Sequence, residues 1–519
     1  MSTARDLVVS VDCSTTASKA IVWDRDGHAL AEGRHAFPLH MPRPGWHEQP
    51  AELWWEATAQ AIGDAVARVG RDRLAALCMT HQRETFVPVD DAGRPLRNAM
   101  VWMDERGRTV LPLLERIYGG DRVHQLTGKP LSINPSNGKI LWLREHEPGI
   151  FERAHKYLDV HAYLVRQLTG HFRTSWGSAD PMGLFDMREH RWAEDLVRAI
   201  GLRLEQLPEA CPPGAVLGEV TAEAAETSGL PVGLPVVAGV GDGQAAALGA
   251  NITRPGQAYL NLGTAIVSGT YSEAYAADRA FRTMNGGIPG TYLLATVLLG
   301  GTYTVTWFVN HFARIDAPAL GLELATEELL EAAIRKIPPG ALGLVLVPYW
   351  NSVMNPYWDA AASGIVVGWR GIHDRRHLYR AILEGIAFEQ RLHTGGVEAA
   401  IGTQIESFVV MGGGSRSSLW CQIVADITGK PVYRSGSTEA TALGAGILAA
   451  TACGLYDDVR AAAAAMTRTE EAPFLPDPGR HAFYTRLFEE VYRHLYPALQ
   501  PYLSRLTAIA RDEGYGEPS

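Results

Sequence analysis

The 519-residue sequence predicts an α/β protein of two lobes, on three observations. Residues 7–27, LVVSVDCSTTASKAIVWDRDG, read as a strand, a tight turn of small residues and a second strand. The pattern recurs at 258–271, AYLNLGTAIVSGTY, with Asn261 falling on Asp12, Gly263 on Ser14 and Thr264 on Thr15. Elsewhere, strand-length apolar runs alternate with helix-length segments, which suits sheets covered by helices.

In the first stretch, Val9 and Val11 alternate before the turn, Ala20 and Val22 follow it, and Asp26-Gly27 reverses the chain. The turn, Asp12-Cys13-Ser14-Thr15-Thr16, leaves backbone N–H groups facing one concavity, where they suit phosphate oxygens. Asp12, at the strand end, suits a divalent cation. Taken alone, the same residues also describe an ordinary Ser/Thr turn. A Pro/Gly-broken loop at 40–48 leads to a helix over 50–69, carrying Trp54 and Trp55. Strands follow at 74–79 and 85–89, with His81-Gln82-Arg83-Glu84 between them. Helices are expected at 141–147 and 156–168, the second ended by Gly170, and a buried strand at 234–240. Asp242 stands where that strand meets a small-residue helix, 243–249.

The second half opens on the repeated turn. Helical segments are expected at 302–312 and 326–336, a strand at 342–347, an aromatic loop at 349–358 and a long helix at 377–395. A strand at 408–411 enters the turn Gly412-Gly413-Gly414 and then a helix over 417–428, stopped by Gly429 and Pro431. Residues 440–455 read as a buried Ala/Gly helix, and 483–503 as a helix covering the second lobe. The lobes divide as 1–250 and 251–519, with no low-complexity linker between them.

Composition narrows the function. A net charge of −10 without any basic run argues against a nucleic-acid partner. The start runs straight into a strand, so no signal peptide is expected, and the 440–455 run is too short for a membrane span. Five scattered cysteines, none in a C-x-x-C pair, disfavour a disulfide framework and a zinc site, and the expected setting is a reducing cytoplasm. No G-x-x-x-x-G-K-[ST] occurs, so nucleotide handling would not use a P-loop.

Three turns could cradle a ligand: 12–16, 261–264 and 412–417, the last at a helix N-terminus. Asp242, flanked by glycines in GVGDG, is the expected general base, with room beside it for a substrate and a helix N-terminus to keep it ionised; an aspartate there also looks like an N-cap. Arg83 and Glu84 put a donor fork and an acceptor side by side, which suits adjacent hydroxyls, although such pairs are often solvated surface ions.

Together these motifs resemble the FGGY carbohydrate kinase family over nearly the whole chain. DCSTTASK resembles its first phosphate loop, GVGDGQAAALG its catalytic-aspartate segment, LNLGTA its second phosphate loop and VVMGGGSRSSLW its adenosine loop. GIVVG at 364–368 and HLYRAILE at 377–384 resemble its C-terminal signature, with Trp369 where an aliphatic residue is usual. The resemblance implies two actin-like, hexokinase-like (ribonuclease H-like) ATPase domains around a cleft. The N-terminal domain would carry substrate and catalytic Asp, the C-terminal one the nucleotide. It implies ATP and Mg²⁺, with Asp242 as catalytic base and Asp12 and Asp242 as metal partners. It also implies Ser14, Thr15, Thr16, Gly263, Thr264, Gly412, Gly413 and Ser417 around the nucleotide.

The reaction implied is in-line attack of a primary hydroxyl on the γ-phosphate. His81 to Thr85, PGWHE at 44–48 and NAMVW ending in Trp102 look like glycerol kinase, whose Arg, Glu and Trp hold the triol, so Arg83, Glu84, Trp102, Asn134 and Asp242 are the expected substrate residues. Asn134 stands where those enzymes carry Tyr, Gly243 where they carry Gln, and LNLGTA resembles the pentulose kinases. The expected acceptor is thus a four- or five-carbon ketose or polyol, a pentulose such as xylulose first, with glycerol or erythritol as the alternative. A non-kinase, ATP-driven switch of the same fold is the alternative of another class. No nucleic-acid or membrane partner is expected, and a homodimer is one open assembly.

Overall fold

The computed structural model describes residues 5–313, 326–350, 352–470 and 472–513; the first four residues of the expected leaderless start, and Asn351 of the aromatic loop, lie outside them. Two six-stranded sheets carry the chain. The first holds β1 (Leu7–Cys13), β2 (Ala17–Trp23), β3 (Ala29–Ala36), β4 (Leu74–His81), β5 (Val216–Glu219) and β6 (Pro235–Val237), in the order β5-β6-β4-β1-β2-β3. The second holds β7 (Gln257–Leu262), β8 (Ile266–Ser272), β9 (Arg282–Asn285), β10 (Tyr292–Leu298), β11 (Ser407–Met411) and β12 (Val432–Arg434), in the order β9-β10-β8-β7-β11-β12. β1 is antiparallel to β2 and parallel to β4; β7 is antiparallel to β8 and parallel to β11. The repeat in the sequence is therefore a repeat of architecture, with β1 and β7 as the twin central strands.

Seven helices position the site: α1 (Glu52–Val69), α2 (Ser136–His146), α3 (Val160–Thr169), α4 (Asp242–Gly249), α5 (Arg375–Ile401), α6 (Ser418–Thr428) and α7 (Ala440–Ala452). Strand side chains alternate between faces, so Leu7, Val9, Val11 and Cys13 pack outward on Trp54, Ile62, Leu164 and Leu168 of α1 and α3. Val8 lies on the opposite face, against α7, and Ser10 and Asp12 share its parity. In β7, Ala258, Leu260 and Leu262 pack outward with α5 and α6, which leaves Tyr259 and Asn261 on the inner face. Parity alone thus aims Asp12 and Asn261 between the lobes.

The inner faces are covered crosswise. Leu443, Ile447 and Leu448 of α7, from the second half, pack on Val8, Ile21, Trp23, Ala76 and Cys78 of the first sheet. Ala246 and Ala247 of α4, from the first half, pack with Tyr259, Tyr271, Met284 and Leu293 of the second. Where the two helices meet, a Cβ added to Gly444 would overlap the Ala245 carbonyl oxygen, and one added to Gly249 would overlap that of Ala440. The Ala/Gly composition read from 440–455 is what lets two backbones touch.

Some boundaries moved. Residues 156–159 form a strand (Lys156–Asp159) paired antiparallel with Phe86–Val89, and only then does α3 begin, with the Asp159 carboxylate accepting the Ala162 N–H at 3.0 Å. Tertiary pairing overrides the helical pattern there, and the N-cap resets the chain. α2 starts at Ser136, five residues before the expected start at 141, because Ser136 and Lys139 are drawn back to the Glu84 carbonyl. The strand expected at 234–240 is reduced to β6, followed by a single bridge from Gly241 to His81. Among the described residues, no helix is long and apolar enough to cross a membrane.

The backbone contact between α4 and α7 makes a direct prediction. Gly444→Ala puts a methyl into the Ala245 carbonyl and should cost roughly 1–3 kcal/mol, the range for overpacking. Thermal unfolding measures it, and an unchanged Tm would mean the crossing has slack.

Candidate active site

The three turns sit at the ends of β1, β7 and β11. In the first, the N–H and the Oγ of Ser14 both donate to the Ala17 carbonyl at 2.9 Å, so Ser14 closes the turn. Thr15 Oγ1 accepts the Trp102 indole N–H at 3.0 Å, and Thr16 is exposed. In the second turn, the Gly263 and Thr264 carbonyls accept the N–H groups of Thr302 and Tyr303 at 3.0 and 3.1 Å. In the third, Gly412 has φ +83°, and a Cβ on it would overlap Asn261 Oδ1, so no other residue fits there. Gly413 faces open space, while Ser417 caps α6, its Oγ accepting the Trp420 N–H at 3.0 Å.

The twin positions share an unusual property: Asp12 Oδ1 and Asn261 Oδ1 are both buried without a hydrogen-bond partner. Burial first, and then the negative charges of Asp242 and Glu439, push the Asp12 carboxyl up to about 7, with Lys19 opposing them. Lys19 reaches across the lobes to Glu439 at 2.8 Å. A buried carboxylate raised in this way is stabilised by a cation, and hard oxygen donors suit Mg²⁺, so the residues present fit that ion.

Asp242 is the first residue of α4, Gly241 serving as N-cap, and its Oδ1 accepts the neighbouring Gly243 N–H at 2.7 Å. Its pKa is raised by burial; Arg83 lowers it, Glu84 raises it, and the Gly243 N–H and Arg282 lower it. Desolvation and Glu84 thus raise this carboxylate against the local donors, while its side chain still reaches solvent.

Arg83 and Glu84 are buried, at 6% and 8% exposure, so they are not a solvated surface pair. Arg83 donates to Gln244 Oε1 at 2.7 Å and Asp180 Oδ1 at 2.9 Å, and its Nε lies 3.7 Å from Glu84 Oε1. Gln244 is two residues past Asp242, so this bond ties the fork to the helix that carries the expected base. Glu84 has φ +57°, a backbone state costing a non-glycine residue roughly 1–3 kcal/mol. Its carbonyl is pinned by Ser136 Oγ at 3.1 Å and Lys139 Nζ at 2.8 Å, and its carboxylate meets Arg282 of β9, in the other lobe, at 3.2 Å. Asn134 contacts the Trp102 carbonyl at 3.5 Å. The structure therefore brings Arg83, Glu84 and Asp242 together between the lobes, with Trp102 tied to the first turn.

Three residues that the sequence reading passed over hold this arrangement. Lys139, fully buried on α2, donates to the carbonyls of Glu84 and Asn134 at 2.8 and 2.7 Å. Burial lowers its ammonium to about 8, so it remains charged at neutral pH. Asp180, 0% exposed, joins Arg83, Lys129 at 3.2 Å and the Asn285 N–H of β9 at 2.8 Å. Gln244 bridges Arg83 and the Gly177 carbonyl. The available signal was a lysine inside the apolar run KILWL and an acid in an uncharged segment, both out of place unless satisfied internally.

Comparison with known proteins gives a consistent result. The description "FGGY family of carbohydrate kinases, N-terminal domain" matches residues 7–249, and its C-terminal counterpart matches 258–453. The chain is 33% identical to the glycerol kinase of Alkalilimnicola ehrlichii, covering 89% of this chain and 93% of that one. It is 28% identical to the xylulose kinase of Staphylococcus epidermidis, over 97% and 98%. The crystal structure of xylulose kinase from Rhodospirillum rubrum superposes with a TM-score of 0.89 at 29% identity, over 96% and 99%.

The Asp180 network is testable without any substrate. Asp180→Ala strands Arg83 and Lys129 as buried cations, so equilibrium unfolding in urea should lose about 3–5 kcal/mol. A loss below about 1 kcal/mol would mean that Asp180 is not their counter-ion.

Proposed function

The chain belongs to the FGGY family of carbohydrate kinases, with its two-domain actin-like fold, and from that membership we propose that it phosphorylates a terminal hydroxyl of a four- or five-carbon ketose or polyol, a pentulose such as xylulose first. As a member of that family it is a phosphotransferase with an alcohol acceptor, and its phosphoryl donor is ATP. In our reading the first half, 1–250, holds the acceptor and the second, 251–519, holds the nucleotide.

The observation that carries the acceptor reading is the convergence of Arg83, Glu84 and Asp242 with Arg282. The Nε atoms of Arg83 and Arg282 are both buried without a hydrogen-bond partner, and both guanidinium groups face Glu84. Donors on two sides of one acceptor suit a chain of several hydroxyls, and leaving them unmatched would cost about 1–3 kcal/mol each. Glycerol remains the second reading, favoured by the Arg83-Glu84 pair with Trp102 beside the first turn and by the identity to a glycerol kinase.

In the mechanism we propose, Asp242 takes the proton of the attacking hydroxyl, its raised pKa bringing it nearer the working pH. Arg83 and Glu84 fix the carbons next to that hydroxyl, so attack is a matter of alignment. The two turns receive phosphate oxygens on the backbone N–H groups of Thr15, Thr16, Gly263 and Thr264, Ser14 holding the first turn closed, and Gly412, Gly413 and Ser417 flank the adenosine. Asp12 and Asp242 would hold Mg²⁺, which when bound neutralises phosphate charge. Charged groups drawn from both lobes, as in Lys19–Glu439 and Glu84–Arg282, limit water when the lobes approach.

Two experiments test this. ADP release with MgATP is measured against glycerol, erythritol, xylitol, both enantiomers of xylulose and of ribulose, and gluconate. One ketose or polyol should give the largest kcat/KM, and Asp242→Asn should lower its kcat by about 10²–10⁴-fold; a panel that stays at background would overturn the reading. Lys139→Met keeps the side-chain length but releases the Glu84 and Asn134 carbonyls, so kcat/KM should fall roughly 10²-fold with the KM rising. Wild-type kinetics in that variant would remove Lys139 from the site.

A further inference from the structure

Tyr259 is 1% exposed, and its hydroxyl is buried without a hydrogen-bond partner. It sits on the inner face of β7, two residues before Asn261. Its ring lies over Gly269 of β8, where a Cβ would overlap Cε1, and its hydroxyl ends beside the N-terminus of α4. A Cβ on Gly243 would lie 3.3 Å from that hydroxyl and 3.4 Å from Met284 Cε. The space beside the expected base, which the sequence reading left to substrate, is thus shared with a phenol from the other lobe.

Register explains the reach. Tyr259 pairs with Gly269, Gly269 with Ala295, and Ala295 with Arg282, a single row across four strands. The two middle residues are small, so the Tyr259 ring, with Leu293 beside it, lies over Gly269, and the phenol and the Arg282 guanidinium belong to the two ends of one row. Burial raises the Tyr259 pKa and the charge of Asp242 raises it further, with Arg83 and Arg282 opposing, so the phenol stays neutral and can both donate and accept.

We propose that Tyr259, with Arg282, forms a specificity-determining subsite supplied by the second lobe, in which the phenol hydrogen-bonds a hydroxyl or carbonyl oxygen of the acceptor beyond the carbons held by Arg83 and Glu84. A glycine at 243 admits the phenol, and an unpaired buried hydroxyl rejects an acceptor too short to reach it, because the group then stays unsatisfied. Asp242, Arg83 and Glu84 come from the first lobe, so the subsite is whole only with both lobes in place. The proposal rests on the acceptor reading above.

The test uses the full-length chain, wild type and Tyr259→Phe, with MgATP and D-xylulose, D-ribulose or glycerol. The expected result is a fall of about tenfold or more in kcat/KM for the preferred pentulose, mainly through KM, with the pentulose-to-glycerol ratio falling alongside. Without substrate the variant should keep its Tm, since the lost hydroxyl bonds nothing in the protein. Gly243→Ala, which presses a methyl toward the phenol, should shift the same ratio in the same direction. An unchanged ratio, an equal loss on all acceptors, or a lowered Tm without substrate would overturn the subsite alone. A wild type silent on every acceptor would overturn the acceptor reading and the subsite together.

Discussion

The site depends on one buried carboxylate. Asp180 accepts Arg83 from the strand-end motif and faces Lys129, while its second oxygen takes the Asn285 N–H from the other lobe's sheet. Two cations so deep would otherwise be expelled or neutralised, and breaking a buried pair costs about 3–5 kcal/mol. Desolvation already lowers Lys129 to about 8, with Asp180 holding it up. The fork of Arg83 is therefore fixed before any ligand arrives, and the strained backbone of Glu84 can be kept because Ser136 and Lys139 bind its carbonyl. Orientation is built into the protein, so little need be paid for on binding.

The lobes are coupled by two unlike kinds of contact. At the α4–α7 crossing, Gly249 and Gly444 bring backbone against backbone, so the two helices are close-packed there. Around it, the bridges across the cleft are polar: Lys19 to Glu439 and Glu84 to Arg282. Polar bridges can exchange partners with a ligand at modest cost, whereas the crossing cannot open without losing close packing. The fold thus joins its halves by close packing at the crossing and by ion pairs across the cleft.

Much of this was legible in the sequence. Alternation of Val9 and Val11 gave β1, with Asp12 at its end, and the recurrence at Asn261 gave the second lobe. Arg83, Glu84 and Asp242 were singled out by residue type, and the structure brings the three together. What escaped was whatever depends on register or on distant partners. Lys139 looks like one charge in an apolar helix until three loop carbonyls gather round it. Tyr259 reads as a core aromatic, and only the row Tyr259–Gly269–Ala295–Arg282 explains why its hydroxyl is free. The strand at 156–159 was lost to a helical pattern because its pairing with 86–89 is not local.

The duplicated turns also had to diverge, and electrostatics says in which direction. Asp12 and Asn261 occupy equivalent places on β1 and β7, each with a buried, unpartnered oxygen toward the space between the lobes. Asp12 already feels Asp242 and Glu439, which raise its carboxyl with burial to about 7. A second carboxylate at 261 would add like charge to that cluster, raise those pKa values further and repel a polyphosphate. An amide keeps the acceptor oxygen without the charge, and its oxygen packs so close that position 412 must be glycine. That glycine opens the third turn, so the side-chain oxygen at 261 shapes the loop beside it, while its being an amide spares the cleft a charge.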